Sequence, residues 1–167
     1  MGRGKSLFVY GYVFGLIYSI RKEHDRVGEL ILETLREDDI PLLRPILEGD
    51  GQTYDPEHIR VFLSGGDNLA FVAKQDGKVI GLIFGYRLTP LWPSKPVLFI
   101  YSVDILSGCR NRGYGSKLFQ FVVDYARENG CSGCFTDAYK SNLPACRVYE
   151  KAGCAGSEDV VEYTIEF

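Results

Sequence analysis

A chain of 167 residues can bury one sizeable core and is short for several domains. Hydrophobic residues at 46% against 25% charged exclude wholesale disorder. A formal charge of −3 argues against a general nucleic-acid binder and suits a cationic small molecule.

The five cysteines are an odd number, so no evenly paired disulfide framework is expected and a reducing, cytoplasmic compartment fits best. Cys131-Ser132-Gly133-Cys134 has the spacing of a redox or half-zinc motif. A second pair is missing and His24 and His58 lie far off, so core thiols and no metal site are expected.

Residues 1–28 stand apart. An apolar, aromatic run over 7–20 follows Arg3 and Lys5 and is broken by Gly11 and Gly15. It has no small-residue cleavage site, and it falls short of the roughly 20 residues a membrane span needs. We read it as an extension with no catalytic role: an added strand, an oligomer contact or an upstream start. No membrane partner is expected, and a homodimer is open.

The domain proper then covers 29–167. Residues 30–35 alternate as a first strand. Asp38 or Asp39 caps a helix carrying Ile40, Leu43, Ile46 and Leu47, with Pro41 in its first turn. Asp55-Pro56 opens a second helix reaching Leu63. Strands over 69–74 and 78–88 join at Asp76-Gly77, a hairpin signal. A loop with Pro90 and Pro93 leads to an apolar strand over 97–106. A helix follows and ends near Asn129-Gly130. Another strand covers 134–139, a short helix 144–151 stops at Gly153, and residues 160–167 alternate as a closing strand. This order predicts a mixed α/β domain rather than an alternating doubly wound one.

The strand over 97–106 organises the rest. It breaks at Ser107-Gly108 and runs through Arg110-Asn111-Arg112-Gly113-Tyr114-Gly115. From Ser116 and Lys117, residues Leu118, Phe119, Phe121, Val122 and Tyr125 recur at helical spacing. Strand, glycine turn, helix is an arrangement for anions: free amides and the positive dipole end meet the charge, and glycines let the backbone approach. We read the loop as a diphosphate cradle, with Arg110, Arg112 and Lys117 adding positive charge. It is neither a P-loop nor a dinucleotide fingerprint.

The R-x-x-G-x-G pattern, entered from Val103-x-Ile105, resembles the acetyl-coenzyme A loop of the GNAT acetyltransferases. A second motif agrees with it: Asn142, Ala145 three residues on, Tyr149 four further, then Glu150-Lys151-x-Gly153, with Cys154 where an aromatic residue is usual. The resemblance covers about 30–167. It implies the GNAT fold, a mostly antiparallel sheet with a split central strand pair and flanking helices, and acetyl-coenzyme A as cofactor. Residues 99–115 and the tail 158–167 further resemble the aminoglycoside 3-N-acetyltransferases of the gentamicin acetyltransferase type. Tyr101 matches that branch, but Ser102 stands where it has Asp. Asp104 lies two residues on, on the same side of a regular strand. Asp137 alone remains of the branch's acidic residues there, and Asn142 replaces another Asp.

The resemblance also implies roles. Val103, Ile105, residues 110–117, Asn142 and Ala145 would hold the cofactor, with a backbone N–H near Ile105 facing the thioester oxygen. Tyr149 would protonate the leaving sulfur. Asp104 is the best nearby carboxylate for a base, directly or through water, and Tyr101 completes the catalytic set. A polycationic acceptor calls for acidic contacts: Asp137, Glu158 and Asp159, with Glu162, Asp50 and Asp55 as further candidates and Tyr54, Tyr86, Trp92 and Tyr139 as walls. The expected reaction is acetylation of a primary amine of a small polycationic molecule, foremost an aminoglycoside at its 3-N position. The alternatives are a polyamine, an amino-acid derivative, a protein amine, or a non-catalytic coenzyme A-binding module.

Overall fold

The computed structural model describes residues 28–161 and 163–167. Strand β1 (Ile31–Thr34) leads through a 3-10 segment (Glu37–Leu43) into α1 (Arg44–Gly49) and α2 (Pro56–Ser64). Then come β2 (Asn68–Gln75), β3 (Lys78–Leu88), β4 (Val97–Ile105), α3 (Tyr114–Glu128), β5 (Cys134–Phe135) and α4 (Leu143–Lys151). The strands lie in chain order, antiparallel from β1 to β4, with β5 parallel to β4 at the other edge. This is the mixed α/β arrangement that the element order predicts.

Local chemistry explains several elements. Asp76 and Gly77 take φ of 50° and 71°, the left-handed pair that a two-residue hairpin needs. Asp55 caps α2 by accepting from the Glu57 and His58 amides, with Pro56 in the first turn. The helix expected over 40–47 is split instead. Pro45 has no N–H to give a preceding turn, so a 3-10 segment ends there and α1 starts afresh with Pro45 in its first turn. Asp39 is not the cap of that segment. It sits three residues in, accepts from the Arg36 amide at 3.2 Å, and forms a buried ion pair with Lys74, which also holds Glu33.

Each face of the sheet carries a core. On one side Phe71, Ile83, Leu98 and Ile100 pack under Leu118, Phe119, Val122 and Ala126 of α3, the i, i+1, i+4, i+8 stripe of an amphipathic helix. On the other, Ala70, Val72 and Leu82 pack under Leu35, Leu43 and Ile46.

One irregularity decides what the sheet presents. Ile100 pairs with Gly85 and Ser102 with Phe84, leaving Tyr101 as an extra residue on β4. A side chain at Gly85 would drive into the Phe99 carbonyl, so the bulge needs glycine opposite it. Side chains alternate with period two, so one added residue reverses the faces beyond it. Leu98 and Ile100 point to α3 before the bulge, and Val103 and Ile105 do so after it. Ser102 and Asp104 thereby join Phe99 and Tyr101 on the opposite face.

Two expectations fail. The strand over 134–139 shortens to Cys134–Phe135, tied to β4 only through Leu98 and Phe99. The described residues of 160–167 form no strand, and Val160, Val161, Tyr163, Ile165 and Phe167 are exposed. Alternation fixes which way residues face, but a strand also needs a long partner edge, and β5 ends at once. Residues 1–27 and Glu162 lie outside the described residues, and so do the extension expected over 1–28, except Gly28, and one acidic candidate. Among the described residues no helix is long and apolar enough to cross a membrane.

Candidate active site

The cofactor side is built from backbone. After β4 the chain bends through a 3-10 turn (Ser107–Cys109) and reaches Gly113, whose φ of 80° makes it the left-handed N-cap of α3. The helical ladder begins with the Lys117 amide on the Gly113 carbonyl at 3.1 Å. The amides of Tyr114, Gly115 and Ser116 therefore precede it, at the positive dipole end of a 15-residue helix. A Cβ on Gly115 would sit 3.5 Å from Ile105 and 3.8 Å from Val148, so the helix start lies close against β4 and α4. A shallow groove of about 530 Å³ continues from Gly113 along Ser116, Lys117 and Gln120 to Val148, Lys151 and Ala152. Amides, glycine and two lysines fit the diphosphate of a coenzyme A.

Three members of the predicted set do other work. Arg110 turns away from the loop: its Nε donates to the Ile105 carbonyl at 2.8 Å and its Nη2 to Asp50 at 2.9 Å. The Tyr114 hydroxyl lies 2.9 Å from Gln75 Oε1, on the hairpin. Asn142 caps α4, its Oδ1 accepting from the Ala145 amide at 3.3 Å, so this predicted cofactor pair first serves the helix end. Asn111 holds the bend at φ 62°, Arg112 is exposed, and Val103 packs beneath α3.

The acceptor side is a cavity of about 590 Å³ on the other face. Leu82, Phe84 and Tyr86 of β3 and Tyr101, Ser102 and Asp104 of β4 form its floor. Asp50, Gln52, Thr53 and Asp55 come from the α1–α2 connection, and His58, Ile59 and Phe62 from α2. Tyr101 is 60% exposed and packs edge-on against Tyr86 and Phe99.

Asp104 is the chemical centre of this floor. Its Oδ2 accepts from the Ser102 hydroxyl at 2.6 Å, which confirms their shared side. Burial raises its carboxyl above the usual range; Ser102 opposes this, the facing Asp50 carboxylate adds to it, and Arg110 opposes it. Tyr149 leans its ring on Phe119 at 4.9 Å. Burial raises its hydroxyl above the ordinary tyrosine range, against the Thr136 side chain; Asp137, Cys146 and Asp104 add to the rise. It therefore stays protonated at neutral pH, within electrostatic reach of Asp104.

The structure does not bring Asp137, Tyr139, Glu158 or Asp159 to the acceptor cavity. Tyr139 is 85% exposed, Glu158 and Asp159 sit on the exposed tail, and Asp137 reaches only the Tyr149 side. Of the proposed walls only Tyr86 serves: Trp92 is exposed and Tyr54 stacks under Arg44. His58, Ile59 and Phe62 were missed, although the Asp55 cap sets them on one helix face at i+3, i+4 and i+7. Cys131 and Cys134 pack with Cys154 at the edge of the α3 core, and burial pushes the Cys134 thiol up to about 11. Among the described residues no group of three His, Cys, Asp or Glu is placed to hold a metal.

Residues 32–154 match the model of the acetyltransferase (GNAT) family. The chain belongs to that family, whose acetyltransferases use acetyl-coenzyme A. It is 32% identical over 88 residues to "Probable N-acetyltransferase camello" of Xenopus laevis, which matches 52% of this chain and 39% of that protein. It is 29% identical over 106 residues to an aminoglycoside N(6′)-acetyltransferase type 1 of Serratia marcescens, covering 64% of this chain and 69% of that one. The chain thus spans well under half of the first relative and about two thirds of the second. Its fold is similar to that of an aminoglycoside acetyltransferase from an uncultured soil sample, solved with sisomicin. That likeness has a TM-score of 0.74 at 23% identity and covers 83% of this chain and 96% of the other.

Proposed function

We propose that this protein transfers an acetyl group from acetyl-coenzyme A to a primary amine of an aminoglycoside. One observation carries the reading: β4 floors a carboxylate-bearing cavity on one face of the sheet and leads into the Gly113 turn that opens the groove along α3, with Asp104 on the cavity floor in electrostatic reach of Tyr149. When bound, the cofactor supplies an activated acetyl thioester. Asp50, Asp55 and Asp104 hold the acceptor's ammonium groups while Tyr86 and Tyr101 back its rings. Asp104 takes the proton that the reacting ammonium must lose before its nitrogen can attack. The Tyr149 hydroxyl provides the proton that the departing sulfur needs. The first nitrogen proton goes to Asp104, the departing sulfur takes the tyrosine proton, and the second nitrogen proton restores the tyrosine, so that one proton in all passes from Asp104 to solvent. A backbone N–H of β4 near Ile105 polarises the carbonyl, a contribution of about 3 kcal/mol in sites of this kind.

The finer assignment is the amine. The loop's resemblance points to the 3-N position, whereas the related Serratia enzyme is named for the 6′ position. The aromatic wall of Phe62, Phe84, Tyr86 and Tyr101 supports a second reading, a flatter amine such as a peptide terminus. A thiol-release assay over aminoglycosides, polyamines and short peptides decides between them, with the acetylated nitrogen located by NMR. Turnover confined to peptides overturns the aminoglycoside reading, and none on any amine overturns catalysis. A homodimer in the cytoplasm belongs to the same proposal, and sedimentation of the purified chain tests its oligomeric part.

A further inference from the structure

We infer that Asp50 and Arg110 are positioning residues for Asp104, an ion-paired clasp across the cavity floor that ties the acceptor-side loop to the cofactor-side loop. The inference rests on the reading of Asp104 as the group that receives the amine's proton.

No sequence motif joins the two residues, which stand 60 positions apart. Asp50 follows α1 as its C-cap, in the turn that leads to the acceptor-side residues Gln52 and Thr53. Arg110 belongs to the bend before α3. Its guanidinium is held at two points, the Ile105 carbonyl and the Asp50 carboxylate, so it cannot swing freely toward the groove. An ion pair with a half-exposed arginine adds little to stability, so stability is a poor reason for this geometry. Its position gives a better one. The Asp50 side chain is only 28% exposed, lines the same cavity as Asp104 and faces it, so the guanidinium paired with Asp50 also lies in the electrostatic field of Asp104. The trio carries a net charge of one minus, which is what an entering ammonium ion requires.

The two partners act on Asp104 with opposite sign. Asp50 disfavours its ionised form, and Arg110 favours it. The other polar groups around the cavity are Ser102 and Tyr101 on the strand of Asp104, Gln52, Thr53 and Asp55 from the α1–α2 connection and His58 from α2, and Tyr149 of α4 lies in electrostatic reach. Toward it β3 presents only Leu82, Phe84 and Tyr86. Neither change of partner alters those groups.

The test is a carbon-13 carboxyl NMR titration of the aspartates in the full-length apoprotein, with Asp104→Asn assigning the resonance. Asp50→Asn is expected to move the Asp104 midpoint to lower pH, Arg110→Gln to higher pH, and the double variant to a value between them. The acid limb of kcat/KM should follow the same order. Coenzyme A affinity of Arg110→Gln, read by calorimetry, should stay close to that of the parent. A midpoint that stays put in both single variants overturns the clasp, as does one that moves the same way in both. So does an Arg110→Gln protein that loses coenzyme A affinity while the Asp104 resonance stays in place. Full turnover in Asp104→Asn defeats the proton-acceptor reading alone, since the titrations report the clasp without any turnover.

Discussion

The two halves of the site are made differently. The cofactor side starts from one stretch of chain, where β4 ends, Gly113 turns and α3 begins with three free amides, and α4 lines the far side of its groove. The acceptor side gathers side chains from β3, β4, α2 and the α1–α2 connection. Under the proposed function the first would hold its ligand largely with main chain, which changes little when side chains drift. The second would hold its ligand with side chains and carry the selectivity. Substitutions should therefore divide cleanly between cofactor affinity and acceptor choice, except at the junction.

The largest effect expected is at the cofactor side. Gly113→Asp forces a side chain into φ +80° and sets a carboxylate where the anion binds. A backbone cost of about 1–2 kcal/mol plus about 1 kcal/mol of repulsion predicts a loss of roughly 30- to 150-fold in coenzyme A affinity. Calorimetry checks it, and unchanged binding would remove the cradle. Next comes the junction. Tyr149→Phe should lower kcat about a hundredfold, the usual scale for a lost general acid, with coenzyme A affinity kept. A joint fall of both would make Tyr149 a cofactor wall instead. On the acceptor side Tyr86→Ala should raise acceptor KM about tenfold through lost ring contact and leave coenzyme A binding alone.

The smallest effect has the opposite sign. The Asp104 carboxyl is raised in the folded protein, so its contribution to stability is full below its unfolded value near 4. That contribution is lost as pH climbs through the folded value, and at neutral pH the ionised group burdens the fold. Asp104→Asn should therefore melt a few degrees higher than the parent at pH 7 while losing activity, and the gap should close at pH 4. A lower melting point at pH 7 would show that the Ser102 bond outweighs burial.

The same contrast explains what the sequence discloses. The Gly113 turn, the α2 cap at Asp55-Pro56 and the Asp76-Gly77 hairpin are local: neighbouring residues dictate them and can be read in order. Strand alternation alone puts Asp104 on the side of Ser102, and it does so because both follow the bulge. The bulge itself was invisible, since pairing with Gly85 creates it rather than any residue of β4. The loop sequence makes Arg110 look like a phosphate contact, because nothing near it announces Asp50, which arrives from 60 residues away. The tail over 160–167 shows the reverse error, a correct alternation without an edge to receive it.

Strand β3 is a party wall. Leu82, Phe84 and Tyr86 look into the acceptor cavity, while Ile83 looks into the α3 core. If the proposed function holds, acceptor choice can be retuned at these three positions while the α3 layer is left alone. Variants selected for new acceptors should then change at the even-numbered positions of this one strand, and Ile83 should be passed over.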